Sequence, residues 1–145
     1  MPAAAVHSLV SSPSAAAQSF TVDEHAAVIA AIDRCADAVV ESWDAASVTD
    51  GAAVVGPLRA CLAEHGVLDA LTAVLADAVE AAGYTLRATP VAAPPYVVVT
   101  SRGPVCRATV ADGRLLLRFR AFELTDENEY VRGRSGDAML DVDLV

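Results

Sequence analysis

Residues 96–124 read YVVVTSRGPVCRATVADGRLLLRFRAFEL, three alternating apolar runs punctuated by Arg102-Gly103 and Asp112-Gly113. Alternation with a period of two marks strands with one buried face, and Asp-Gly between two such runs is a strong hairpin signal. Treating both dipeptides as two-residue turns fixes a register. Val99 then faces Cys106, Val97 faces Ala108, Ala108 faces Leu117 and Cys106 faces Phe119. All these positions are apolar, so this face is expected to pack on the rest of the chain. The opposite face carries Tyr96, Val98, Thr100, Arg107, Thr109, Leu116, Arg118, Arg120 and Phe122, with Arg107 directly opposite Arg118.

Upstream of Gly83 the apolar period is helical. Thr21 followed by Glu24 fits a capping box, and Ile29, Ile32, Ala36, Val39 and Trp43 then recur at three and four, which predicts a helix of about 25 residues. Gly56-Pro57 suits a break followed by proline in the first turn of a second helix, Pro57 to His65. Val67 to Ala82 gives a third helix, closed by Gly83. Tyr84 to Thr89 reads as a short strand and Pro90 to Pro95 as a rigid connector. Arg114 to Leu124 is the next strand after the hairpins, and the acidic connection TDENEYVRGRSGD leads to a last strand, Ala138 to Val145. The expected fold is α+β, with about three N-terminal helices on one face of a four- or five-stranded, mainly antiparallel sheet. Residues 21–145 form one domain, helical over 21–83 and a β-meander over 84–145. Residues 1–20 read as a flexible Ala/Ser-rich tail without the basic and apolar regions of a secretory leader, and a start at Val22 would begin the chain at its first capped helix.

The chain has 145 residues, 54% of them apolar, and a formal charge of −9. Every basic side chain is Arg, Lys is absent, and Asp outnumbers Glu by 12 to 7. No apolar run reaches the ~18 residues of a membrane span, and so acidic a surface repels phosphate backbones and anionic lipid heads. Neither a nucleic acid nor a membrane is therefore expected as a partner. Cys35, Cys61 and Cys106 are far apart, without a CxxC, and read as reduced core thiols of a cytoplasmic protein.

The outward arginines are the most informative chemical feature, because like charges facing each other across strands destabilise a sheet unless something compensates. Three readings follow. Asp141 and Asp143 on the last strand neutralise the arginines; or the face is a subunit contact, mixing Arg and aromatics with Val98 and Leu116; or the guanidinium groups grip an anion. Cys61 and His65 stand at i and i+4, half of a zinc site, but with no second ligand pair in sequence His65 reads as a residue complementing the helix dipole. His25 and His7 read as exposed and without partners. No Gly-rich phosphate loop, Walker lysine, HExxH or GxSxG motif occurs. No catalytic residue, metal or cofactor is expected.

The segments AAPPYVVVTSRGPVCRATVADGRLLLRFRAFEL, 92–124, and GVLDALTAVLADAVEAAGYTLRATPV, 66–91, resemble an uncharacterised family of small haloarchaeal proteins, a domain of unknown function. The resemblance covers most of residues 57–124, and PPYVVVTSRGP is its specific motif. It implies a halophilic archaeal cytoplasm and carries no activity to any position here. The functional expectation is a non-enzymatic module that self-associates as a homodimer or binds a protein through Tyr96, Val98, Arg107, Leu116, Arg118, Arg120 and Phe122. The alternative is a small-molecule or anion-binding protein, or an enzyme, using the same arginines.

Overall fold

The computed structural model describes residues 12–145. Among them lie helices α1 (Pro13–Glu24), α2 (Ala26–Glu41), α3 (Ala52–Glu64) and α4 (Val67–Ala81). They are followed by strands β1 (Val97–Thr100), β2 (Gly103–Val110), β3 (Gly113–Phe119), β4 (Phe122–Leu124), β5 (Tyr130–Arg132) and β6 (Leu140–Leu144), with a short 3-10 turn at Gly136–Met139. One antiparallel sheet has the order β1-β2-β3-β6, and β4 and β5 form a separate two-stranded ribbon. The α+β class stands, with four helices in place of three. No described helix is long and apolar enough to cross a membrane.

Alternation decides which side of the sheet is covered. Val97, Val99, Cys106, Ala108, Val110, Leu115, Leu117, Phe119, Leu140 and Val142 are buried on one face and join the core formed by Ile32, Leu58, Leu71 and Leu75 of the helices. α4 packs on β1 and β2, α3 on β1, and α1 on β6 and α4. The residues between them on the other face remain exposed or half-exposed.

Residues 13–20 are helical, not a tail; residues 1–11 lie outside the described residues. Ser12 caps α1 by accepting from the Ala15 amide at 3.2 Å, and Pro13 occupies the first turn, where its missing N–H is harmless. Thr21 is no cap: it is buried, and its hydroxyl donates to the Ala17 carbonyl at 2.8 Å. The Gln18 amide explains why this helix docks. Its Nε2 donates to the Leu140 carbonyl at 2.8 Å and its Oε1 accepts from the Val142 amide at 3.2 Å, so one side chain serves the free edge of β6 as a neighbouring strand would. The expected long helix from Thr21 breaks at His25, where φ is −120°. His25 is not unpartnered either; its Nε2 lies 2.7 Å from Asp77 on α4.

Pro57 sits inside α3 instead of opening it. A proline there leaves the carbonyl four residues earlier without its helical donor. That carbonyl belongs to Ala53, and the Trp43 indole Nε1 donates to it at 3.2 Å. The start of α3 is secured by Asp50, whose Oδ1 accepts from the Ala52 amide at 2.9 Å. Gly83, with φ of +91°, ends α4 as expected: the Tyr84 amide donates to Val79 at 3.0 Å and the Gly83 amide to Glu80 at 2.9 Å.

Residues 84–89 form no strand. The segment is tied at its start by the Tyr84 hydroxyl, which donates to Asp112 Oδ2 at 2.8 Å across the tip of the β2–β3 hairpin. That bond to a carboxylate, followed by burial and the repulsion of the nearby negative charge, raises the Tyr84 pKa above its ordinary 10.0. Burial alone pushes the Cys106 thiol up to about 12. Arg114 to Leu124 is not one strand: the chain turns at Arg120-Ala121, and β4 pairs with β5 out of the segment expected to be an acidic connection. Arg132 fixes that ribbon to α2, pairing with Asp33 and, at 2.9 Å, with Asp37, while donating to the Ala121 carbonyl at 2.8 Å. Cys35 and Cys61 form a disulfide between α2 and α3, contrary to the expectation of reduced thiols; Cys106 is free and buried.

Three outcomes follow from these contacts. Reducing the Cys35–Cys61 bridge, which closes a loop of sequence separation 26, is expected to lower unfolding stability by about 3 kcal/mol in denaturant titrations. Trp43→Phe keeps a ring against Phe122 but strands the Ala53 carbonyl, for an expected loss of about 1 kcal/mol in the same assay. Because the folded-state pKa of Tyr84 is raised, its contribution is complete below pH 10 and is lost as pH rises through the higher folded value. Ultraviolet titration of wild type minus Tyr84→Phe is expected to show a phenol ionising above its ordinary range.

Candidate functional site

The uncovered face of the main sheet is built by the same alternation that buries the core. Its turns, however, differ from the expected ones. Thr100 pairs with Gly103 and Val110 with Gly113, so the loops are Ser101-Arg102 and Ala111-Asp112, and each glycine opens the following strand. Both glycines have φ near +140°, and their strand neighbours are close: a Cβ at Gly103 would meet the Phe119 carbonyl and one at Gly113 the Val145 carbonyl. Each hairpin is displaced by two residues from the expected register. A shift of two keeps every side chain on its face but changes its partner.

Arg107 therefore faces Leu116, not Arg118, and Arg118 faces Val105 on one side and Asp141 on the other. Two rows cross the sheet side by side: Val98, Val105, Arg118, Asp141 and Arg107, Leu116, Asp143. The Tyr96 carbonyl accepts from the Arg107 amide at 2.8 Å and extends the second row. Tyr96, Val98, Arg107, Leu116 and Arg118 thus share one outward face, with Arg120 at its rim. Phe122 does not belong to it. The turn at Ala121 sends that ring into the core, 1% exposed, with its centroid 5.9 Å from that of Trp43.

The arginines divide by partner. Arg118 Nη1 lies 2.9 Å from Asp143 Oδ2. Arg120 Nε lies 2.7 Å from Asp141 Oδ2, although its N–H is not aimed along that line, and Arg134 reaches the same oxygen at 3.1 Å. Arg118 and Arg120 line a cleft of about 260 Å³ with Thr100, Arg102 and Val105, and aspartates outside that lining balance two of its three guanidinium groups.

A second cleft, of about 290 Å³, is different. Arg107 and Thr109 enter it from β2, Arg114 from β3, Tyr96 from the approach to β1, and Arg87 from the segment tethered by Tyr84. Leu86 and Pro95 complete much of the lining. All three arginines are exposed, and none pairs with a carboxylate among the described residues. Guanidinium, phenol and hydroxyl donors converge there, and the lining includes no carboxylate, thiol or imidazole. Such a lining can bind and orient an anion through bidentate contacts.

Of these residues, Arg107 and Tyr96 are expected from the sequence, whereas Arg87 and Arg114 are not. Arg87 was hidden in an expected strand that does not form. Arg114 carries a weak signal: its cross-strand partner is Thr109, and no acidic residue stands at either neighbouring outward position of β2.

Elsewhere, the structure brings Cys35 beside Cys61 and His65, the i, i+4 pair noted in the sequence. The side chains of Asp141 and Asp143 pair with arginines and line neither of the two clefts.

Residues 15–145 match the sequence family described as a domain of unknown function, DUF7988. The match extends beyond residues 57–124 in both directions, into α1 and through β6. No curated protein and no solved structure matches the chain. Since the matched residues take in nearly all of the described fold, the chain belongs to the DUF7988 family.

Proposed function

We propose that the protein is a non-enzymatic binding module whose ligand is a small anion carrying a phosphate or more than one carboxylate, held in the cleft of Arg87, Arg107 and Arg114. The observation that carries this reading is the division of the arginines. In a chain of net charge −9, carboxylates pair with Arg118, Arg120, Arg132 and Arg134, and of the six arginines without such a partner among the described residues three surround one cavity. Clustered cations in an exposed cleft repel one another, and a bound anion removes that penalty. The volume suits a ligand at the small end of the usual range. The acidic, lysine-free composition supports a salt-adapted, haloarchaeal cytoplasm as the setting, where screening lowers affinity for a singly charged ligand and favours a multivalent one.

A second reading, a homodimer formed through the uncovered face, is favoured by Val98, Val105 and Leu116, all half-exposed there. The same face carries arginines and aspartates in adjacent rows, so a two-fold copy offers each charge an opposite.

Calorimetric titration with inorganic phosphate, citrate and a nucleoside monophosphate separates the readings. Saturable binding of at least one is expected. Arg107→Ser and Arg114→Ser are each expected to weaken it by about tenfold to a hundredfold, without changing the mass seen by light scattering. Equal affinity in the double variant, or no saturable binding of any of the three, overturns the anion reading. A wild-type mass of twice 14.9 kDa that returns to 14.9 kDa in Val98→Asp/Leu116→Asp supports the dimer.

A further inference from the structure

On the helical side of the molecule, α2 and α3 place two thiols and an imidazole together. Cys35 Sγ, Cys61 Sγ and a ring nitrogen of His65 all lie within 4.8 Å of one another. Cys35 is buried, Cys61 half-buried and His65 exposed, so the group opens to solvent on its histidine side. Cys61 and His65 are one helical turn apart, and the His65 amide donates to the Cys61 carbonyl at 3.1 Å, which fixes that turn. The Cα atoms of Cys35 and Cys61 are 5.7 Å apart, held by packing between two helices.

We propose that this cluster is a redox-gated zinc site: in the reduced chain Cys35, Cys61 and His65 bind one Zn²⁺, and oxidation to the Cys35–Cys61 disulfide expels it. Two thiolates and an imidazole suit a borderline-soft cation, and three protein ligands leave the fourth tetrahedral position to water. With Zn–S near 2.3 Å and Zn–N near 2.0 Å, tetrahedral geometry sets the ligand atoms about 3.4–3.8 Å apart. Reduction lets the sulfurs separate to that spacing, and the exposed His65 ring needs to close by only about an ångström from the upper limit of the present grouping.

The chemistry balances with a two-electron oxidant such as hydrogen peroxide. Two zinc-bound thiolates give up two electrons, two Zn–S bonds break and one S–S bond forms. Peroxide takes the electrons and two protons to become two waters, and Zn²⁺ leaves with His65 neutral. A dithiol reductant runs the protein step backwards. The cluster lies on the helices, away from the arginine cleft on the sheet, and does not depend on that reading.

The test uses the full chain, reduced and metal-free under anaerobic conditions, titrated with Co²⁺ and then Zn²⁺. One Co²⁺ per chain is expected, with a thiolate-to-cobalt charge-transfer band and tetrahedral d–d bands that Zn²⁺ abolishes. Cys61→Ser is expected to remove the charge-transfer signal. His65→Ala, at an exposed position where folding is not at risk, is expected to weaken binding by at least the roughly 10- to 100-fold lost with outer-shell partners. Cys106→Ser is expected to leave binding unchanged. Peroxide is expected to release one Zn²⁺ per chain as two thiols disappear. Absence of stoichiometric binding by the reduced chain, binding that survives in Cys35→Ser/Cys61→Ser, or binding indifferent to His65→Ala overturns the assignment.

Discussion

Among the described residues the helices cover only one side of a four-stranded sheet, and strict alternation along β2 and β3 sorts the side chains accordingly. Cys106, Ala108, Leu115, Leu117 and Phe119 enter the core, while Arg107, Arg114 and Arg118 point the other way. Hydrophobic burial fixes the orientation of the strands, because displacing either by one residue would turn its own core side chains, Cys106, Ala108 and Val110 of β2 or Leu115, Leu117 and Phe119 of β3, into water. The arginines are therefore presented outward as a consequence of the core, and the remaining design question is what balances them. β6 answers for Arg118 and Arg120 with Asp143 and Asp141. It lies beyond β3, with Asp141 opposite Arg118 and Asp143 opposite Leu116, so that Leu116 stands between Asp143 and Arg107 and no aspartate of β6 stands in the row of Thr109 and Arg114.

Several single polar contacts set the helices around that sheet. Gln18 serves the open edge of β6, Trp43 takes the carbonyl left free by Pro57, His25 meets Asp77, and Arg132 joins the β4–β5 ribbon to Asp33 and Asp37. Each satisfies a group at an edge, a break or a helix junction, where regular secondary structure leaves one unpaired. The ribbon in turn draws Ala121 and Phe122 away from the end of β3, which is why that strand stops short of the Leu124 expected for it.

The face assignment was legible in the sequence because it rests on parity, and a two-residue displacement of both hairpins leaves parity intact. The identity of cross-strand partners was not, since Ser101-Arg102 and Arg102-Gly103 are both credible two-residue turns. What chose between them is the close approach of Phe119 to Gly103 from a neighbouring part of the chain. Helix boundaries failed for the same reason. Local signals at Thr21 and Pro57 are good start signals, and contacts from Leu140 and Trp43 override them. Cys35 was invisible as a partner of Cys61 and His65 because their proximity is created by packing of two helices. Arg87 reached the cleft only because residues 84–89 fold as a tethered loop.

The central claim is that Arg87, Arg107 and Arg114 form an unsatisfied anion site while Arg118, Arg120, Arg132 and Arg134 are balanced by aspartates. Side-chain Nε–Hε resonances of the ten arginines, followed by NMR during titration with inorganic phosphate at constant ionic strength, address it most directly. The expected result is saturable movement of the three cleft arginines, with Arg118, Arg132 and Arg134 unmoved. Uniform, unsaturable drift of all exposed arginines, or saturable movement centred on Arg102 and Arg118, would contradict it.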